Sequence, residues 1–231
     1  MRFVLALSLT IGAFATSPAK VLETAPIRFE ARSSGWVAKG AGYAISFTDR
    51  ATELRLADRK IALTFPGSNR RAAFSASGGT TPSTYFTGNR AATVDAFRKL
   101  HRTNVYRGID VVYYGNGGEL EYDFEIAPGA DASAIRIRFD GADRLSVNER
   151  GDLVLALGDS EVVQHAPVVY QRRKSGEIVT IASNYRIERN GDVRLALADY
   201  DRSAKLIVDP TLGFTAYLSG SNSDQAIAVA H

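Results

Sequence analysis

Four carboxylates recur at every second position of one short stretch: Glu119, Glu121, Asp123 and Glu125. In extended backbone, side chains alternate between faces, so these four share one face and Leu120, Tyr122, Phe124 and Ile126 share the other. Asp110 joins the acidic face if the chain folds back at Asn116-Gly117, a strong signal for a two-residue hairpin loop. With that loop Tyr114 faces Glu119, Val112 faces Glu121 and Asp110 faces Asp123. Converging oxygens of Asp110, Glu121 and Asp123 could hold a hard cation such as calcium, although such sites draw several ligands from one Gly-containing loop and none is visible here. Two carboxylates could also serve as acid and base in glycoside hydrolysis. The simpler reading is an ion-pair ladder: Arg136 and Arg138, on a third strand Ile135–Phe139, would stand beside Glu121, Asp123 and Glu125, each pair contributing little.

No other residue set points more firmly to chemistry. His101, His165 and His231 are far apart, without metal-ligand spacing, and neither GxSxG nor HExxH is present. Gly78-Gly79-Thr80-Thr81 lacks the lysine and following helix of a phosphate loop. The sequence therefore assigns no catalytic, cofactor-binding or metal residue, and no cofactor is expected.

The elements that must position these groups read as strands. Ile109–Tyr114, Glu119–Ile126 and Ile135–Phe139 predict three consecutive antiparallel strands. Before them, strands are predicted at Ile27–Glu30, Tyr43–Thr48, Glu53–Leu56 and Lys60–Phe65, with Trp36 near a turn as a core anchor. Ser75–Ser83 reads as a long surface loop. The spacing of Val94, Phe97 and Leu100 allows a short helix over Ala91–Leu100, and Thr103–Tyr106 returns to extended character. Further on, Glu149-Arg150-Gly151-Asp152-Leu153-Val154-Leu155-Ala156-Leu157 is echoed by Arg189-Asn190-Gly191-Asp192-Val193-Arg194-Leu195-Ala196-Leu197, which predicts two similar hairpins. Between the copies Val162-Val163, Val168–Gln171 and Ile178–Ile181 supply short strands. The expectation is an all-β chain of antiparallel hairpins forming a β-sandwich-like domain, in one unit or two sub-modules, with few or no helices.

Met1-Arg2 followed by FVLALSLTIGAFA reads as a secretory signal ending at Ala15, or alternatively at residue 19, and it is too short to span a bilayer. No other stretch is apolar enough for a membrane span. There is no cysteine, so an exported chain of this length relies on its core for stability. Arginine supplies 22 of 28 basic residues, scattered among 25 acids for a net charge of +3, which is not the concentrated basic face of a nucleic-acid binder.

Tyr106-Arg107-Gly108-Ile109-Asp110-Val111-Val112-Tyr113-Tyr114-Gly115, Leu120-Glu121-Tyr122-Asp123-Phe124 and Ala127-Pro128-Gly129-Ala130-Asp131 resemble the N-terminal region of bacterial SBBP-repeat (β-propeller-repeat) cell-surface proteins. Gly151-Asp152-Leu153, Ala166–Gln171, Tyr200-Asp201 and Leu206–Pro210 continue the likeness in order. Leu212–Ser221, with Asp224 and Ala226, is similar to the start of a first repeat. The resemblance implies a secreted module of unassigned activity preceding repeats, and it supplies no catalytic residues. The expected organisation is a signal at 1–15, a first β module at 20–87, a main β module at 88–210 and an incomplete propeller-type repeat at 211–231. The expected function is a non-enzymatic secreted or cell-surface structural or binding module, with extracellular proteins or glycans as partners. The alternative is a secreted carbohydrate-active hydrolase using the Asp110/Glu121/Asp123 carboxylates.

Overall fold

The computed structural model describes residues 27–40, 43–56, 59–116, 119–158, 160–210 and 212–213. The expected signal and the repeat-like residues beyond 213 lie outside the described residues. The described chain is all-β, and every strand pairing is antiparallel.

The first five strands form an up-and-down meander: β1 (Phe29–Arg32), β2 (Gly35–Gly40), β3 (Tyr43–Phe47), β4 (Thr52–Leu56) and β5 (Arg59–Thr64). Their alternation decides their facing: Ile45, Phe47, Leu54, Ile61 and Leu63 are buried, while Ala44, Arg55 and Lys60 are exposed. β2, absent from the sequence reading, starts at Gly35 (φ +136°), where an added Cβ would lie 2.2 Å from the Phe47 carbonyl oxygen. Only glycine lets the chain turn back this close to β3. Trp36 on β2 meets Phe97 edge-on at 5.9 Å and packs against the core.

The next four strands overturn two expectations. Most of the expected surface loop Ser75–Ser83 is β6 (Phe74–Gly79), and the expected helix at Ala91–Leu100 is strand throughout apart from a break at Asp95. β7 (Ser83–Thr87) and β8 (Arg90–Val94) form a hairpin, and β9 (Ala96–Tyr106) is the longest strand. β9 pairs with β6 along one edge, so two unremarkable segments stabilise each other through long-range ladders that a three-residue helical spacing cannot match.

β9 is also the joint of the fold. Phe97 pairs with Gly79 and Phe29, whereas Leu100 pairs with Ala76 and with Tyr113 of β10 (Ile109–Asn116). Since β6 occupies one edge throughout, β1 and β10 follow one another along the other. The Phe47 and Tyr113 rings meet at 5.0 Å and the Thr52 hydroxyl bonds the Tyr113 hydroxyl at 3.2 Å, so the β1–β5 meander faces β10 across a shared core.

β10 pairs with β11 (Glu119–Ile126) as expected, but in a register shifted by two: Asn116 faces Glu119, Tyr114 faces Glu121, Val112 faces Asp123 and Asp110 faces Glu125. Asn116 belongs to the strand, where its side chain reaches Glu121, so the two intervening positions are 117–118. A shift of two preserves faces, which is why the inside/outside assignment of Leu120, Tyr122, Phe124 and Ile126 survives.

The third strand is a further correction. After β11 a 3-10 turn, Ala132–Ala134, capped by the Asp131 carboxylate accepting from the Ser133 N–H, redirects the chain. β12 (Arg138–Asp140) then pairs with β5 instead of β11. The far edge of β11 is taken by a strand some 80 residues later.

Two further groups of strands complete the fold. β13 (Arg144–Val147), β14 (Leu153–Leu157) and β15 (Ser160–Gln164) form a small sheet, and β16 (Val168–Arg172) and β17 (Ile178–Ile181) extend the large one. β18 (Ser183–Ile187) and β19 (Val193–Leu197) are a separate hairpin. The echo is real in structure: Asn148 N–H donates to Asp152 O and Gly151 N–H to Asn148 O, and Glu188 and Gly191 repeat both bonds in the β18–β19 turn. β20 (Leu206–Asp209) is inserted between β11 and β16, and β21 (Leu212–Gly213) pairs with β15. The large sheet thus draws strands from both sides of residue 87. Leu155 and Val162 of the small sheet close on Ile45, Leu54, Leu63 and Leu120 of the large one around a cavity of about 20 Å³.

Candidate functional site

The acidic row of β11 occupies the face of the sheet away from the aromatic core, but arginine does not match it. Glu121 is buried and accepts from the Asn116 side-chain amide at 3.0 Å. Asp123 accepts from the Tyr114 hydroxyl at 2.9 Å, and Glu125 accepts from Lys205 at 2.7 Å. The two arginines are elsewhere. Arg138 bonds Asp192, and the Arg136 backbone brackets the Tyr106 hydroxyl, its N–H donating at 3.3 Å and its carbonyl accepting at 3.1 Å. Both follow from β12 pairing with β5.

Nor do Asp110, Glu121 and Asp123 converge. Asp110 lies four positions from Tyr114, the residue opposite Glu121, or about 14 Å along the strand. Its carboxylate accepts from the N–H of Asn104, which sits at φ +56°, and so secures the register shift between β9 and β10. Among the described residues no group of three or more His, Cys, Asp or Glu side chains is placed to hold a metal ion.

What the fold does gather around Asp123 comes from β20, which sequence reasoning could not place. Phe124 pairs with Val208, so Asp209 falls beside Asp123 at the next position. Burial pushes the Asp123 carboxyl up from 3.8 to about 6; the Tyr114 hydrogen bond opposes this, and the charges of Asp209, Glu125 and Glu121 add to it. Burial, followed by the charges of Asp123 and Asp209, pushes the Tyr114 and Tyr170 hydroxyls up as well, while the Lys99 ammonium lies 5.6 Å from the Tyr114 ring centre.

This raised value has a consequence for stability. A carboxyl whose folded pKa exceeds its unfolded one binds its proton more tightly when folded, so the Asp123 contribution to stability falls as pH rises from about 4 to 6 and is flat beyond. Asp123→Asn is expected to remove that fall and to raise stability at pH 7 by about 1 kcal/mol, after allowance for solvent screening of a partly exposed group. Urea titrations of both proteins between pH 4 and 8 check it. Parallel pH profiles would refute it.

A second built cluster was invisible in sequence. Glu30 of β1, 6 % exposed, accepts the Tyr85 hydroxyl at both carboxylate oxygens, 2.8 and 2.7 Å, and pairs with Arg32 at 2.6 Å. Burial pushes its carboxyl up, but hydrogen bonds from Ser83 and Tyr85 and the Arg32 charge outweigh that and hold it below the usual range. The Arg32 and Lys39 cations lie 5.3 and 5.2 Å from the Tyr85 ring centre. These contacts pin the β7–β8 hairpin to β1 and β2. Tyr85→Phe removes the hydroxyl from a charged acceptor and is expected to cost about 1–2 kcal/mol locally, read as faster amide exchange confined to residues 83–94.

The histidines are dispersed as expected: His101 lies 2.8 Å from the Ser77 hydroxyl, His165 lies 3.5 Å from Asp152, and His231 is outside the described residues.

A family model described as a domain of unknown function, DUF7948, matches residues 23–211, a span that holds β1 to β20. The chain belongs to this family. The DUF7948 span contains the acidic row, the Glu30–Tyr85 cluster and both echoed hairpins. No curated protein and no solved structure matches the chain.

Proposed function

We propose that this DUF7948 chain is a non-enzymatic secreted or cell-surface module, a structural base for propeller-type repeats that acts in adhesion or extracellular interaction with proteins or glycans. The observation that carries the reading is the place of β20. The last strand of the large sheet before the repeat-like residues is paired on both edges, with Leu206 and Val208 at 0 % exposure. A segment attached beyond it is tied to an interior strand of the sheet, flanked by β11 and β16, so tension on it must break two ladders at once. The signal-like residues 1–15, the motif likeness to SBBP-repeat proteins and the likeness of Leu212–Ser221 to the start of a repeat support the same reading. It is tested by fractionating producing cells and mapping the mature N-terminus by mass spectrometry. A chain beginning at Thr16 or Lys20 outside the cytoplasm is expected; an intact Met1 in the cytoplasm would overturn the reading.

One observation favours the hydrolase alternative: a carboxyl held near 6, as on Asp123, is what a glycosidase acid requires. Turnover of a polysaccharide by the wild type, lost in a folded Asp123→Asn variant, would establish it. No turnover on a broad panel would reject it.

A further inference from the structure

We propose that the outward face of the β7–β8 hairpin is a docking strip for a neutral polysaccharide, with Phe86 as the stacking platform and the paired Thr84 and Thr93 hydroxyls as the polar contact. The inference deepens the reading of the chain as an extracellular binding module and rests on it. The hairpin register sets Thr84 opposite Thr93 and Phe86 opposite Ala91, and all four are exposed. Phe86 is 77 % exposed, whereas the other exposed large hydrophobics range from 40 to 53 %. A lone exposed hydrophobic residue is common, so exposure alone selects nothing.

Three further features select this one. The first is charge: residues 78–94 carry a single charged side chain, Arg90, in a chain that is 23 % charged. A neutral strip is complementary to a neutral partner and offers an anionic polymer or a charged protein patch nothing to pair with. The second is rigidity. Tyr85 and Ser83 point the other way, into the Glu30 cluster, so the strip is held from behind and loses little freedom when it is covered. The third is spacing: Thr84 and Phe86 are two positions apart, about 7 Å, so adjacent sugar rings can lie over the two pairs. The Phe86 π-face attracts the positively polarised C–H groups of a sugar ring. The two threonine hydroxyls, 3.3 Å apart, can donate to and accept from the hydroxyls of the neighbouring sugar.

The test uses the mature chain in depletion assays on insoluble cellulose, chitin and xylan, with calcium alginate beads as the anionic control. Retention on at least one neutral polymer is expected. Phe86→Ser is expected to weaken it by about tenfold or more, as loss of an aromatic anchor does. The Thr84→Ala/Thr93→Ala double variant is expected to weaken it by a smaller factor, and melting temperatures should be unchanged because none of these side chains is buried. The proposal is overturned by no retention on any neutral polymer, by retention that Phe86→Ser leaves unchanged, or by preference for alginate. It is equally overturned if sedimentation shows a dimer that Phe86→Ser dissolves, since the strip would then serve a second copy of this chain. The N-terminal mapping described above reads export independently, so failure of the strip and failure of the extracellular reading give different results.

Discussion

Replacing Gln164 with leucine is expected to lower the unfolding free energy by about 3 kcal/mol. Gln164 of β15 is 0 % exposed and links two buried tyrosines: its Oε1 accepts from the Tyr122 hydroxyl at 2.9 Å and its Nε2 donates to the Tyr185 hydroxyl at 2.7 Å. The Tyr185 hydroxyl then donates to the His165 carbonyl at 2.9 Å. Leucine preserves most of the volume but leaves the Tyr122 hydroxyl in the core without an acceptor, and an unmet buried donor costs more than a met one contributes. Adding Tyr122→Phe removes that stranded hydroxyl and is expected to recover about 1 kcal/mol or more. Urea denaturation of the four proteins of the cycle measures this. A single variant within 0.5 kcal/mol of wild type, or no recovery in the double variant, would refute the linkage.

Asp192→Ala is expected to cost about 3 kcal/mol. Asp192, at the inner side of the second echoed turn, is 2 % exposed and accepts from Arg138 Nε at 2.8 Å, from Arg138 Nη2 as well, and from the Asn190 amide at 3.0 Å. Next to it, Val193 exchanges two backbone hydrogen bonds with Ile137, at 2.9 and 2.7 Å. The aspartate therefore holds the approach to β12 against the β18–β19 hairpin, and its loss strands a half-buried guanidinium. Asp192→Asn keeps the turn and loses the charge, with about 2 kcal/mol expected. Equal midpoints for wild type and both variants in urea, with unchanged slopes, would contradict this role.

Asp152, at the same position of the first turn, shows how far the sequence echo could be read. The repeat of Gly-Asp followed by alternating apolar residues predicted two like hairpins, and the backbone bonds of the turns are the same. That signal is local, since turn chemistry and strand period lie within a dozen residues. What each aspartate grasps is not local: Asp152 accepts from the Ala166 N–H at 3.0 Å, Asp192 from Arg138 across 54 residues.

The same division runs through the rest of the fold. Period-two alternation assigned Leu120, Tyr122 and Phe124 to the core, and the assignment survived a register shift because the shift was even. The neighbour of β11 was misassigned because Ile135–Phe139 is an equally good strand, and only closing an 80-residue loop shows that Leu206–Asp209 pairs there. With the wrong neighbour, Arg136 and Arg138 were placed on carboxylates they do not touch, and Asp209 and Tyr170 were overlooked. The helix expected at Ala91–Leu100 and the loop expected at Ser75–Ser83 failed for one reason: β6 and β9 are each weak in isolation and stabilise one another.

The central claim is that β20 is a clamped interior strand, and native-state amide exchange tests it most directly. The Ile207 and Val208 amides are expected to exchange as slowly as those of β10 and β11, through global unfolding only, while the Val179 and Thr180 amides of the edge strand β17 exchange by local opening. Exchange in residues 206–209 as fast as in β17 would mean that the strand leading to the repeat-like residues is loosely held, and the account of the module as their base would fail with it.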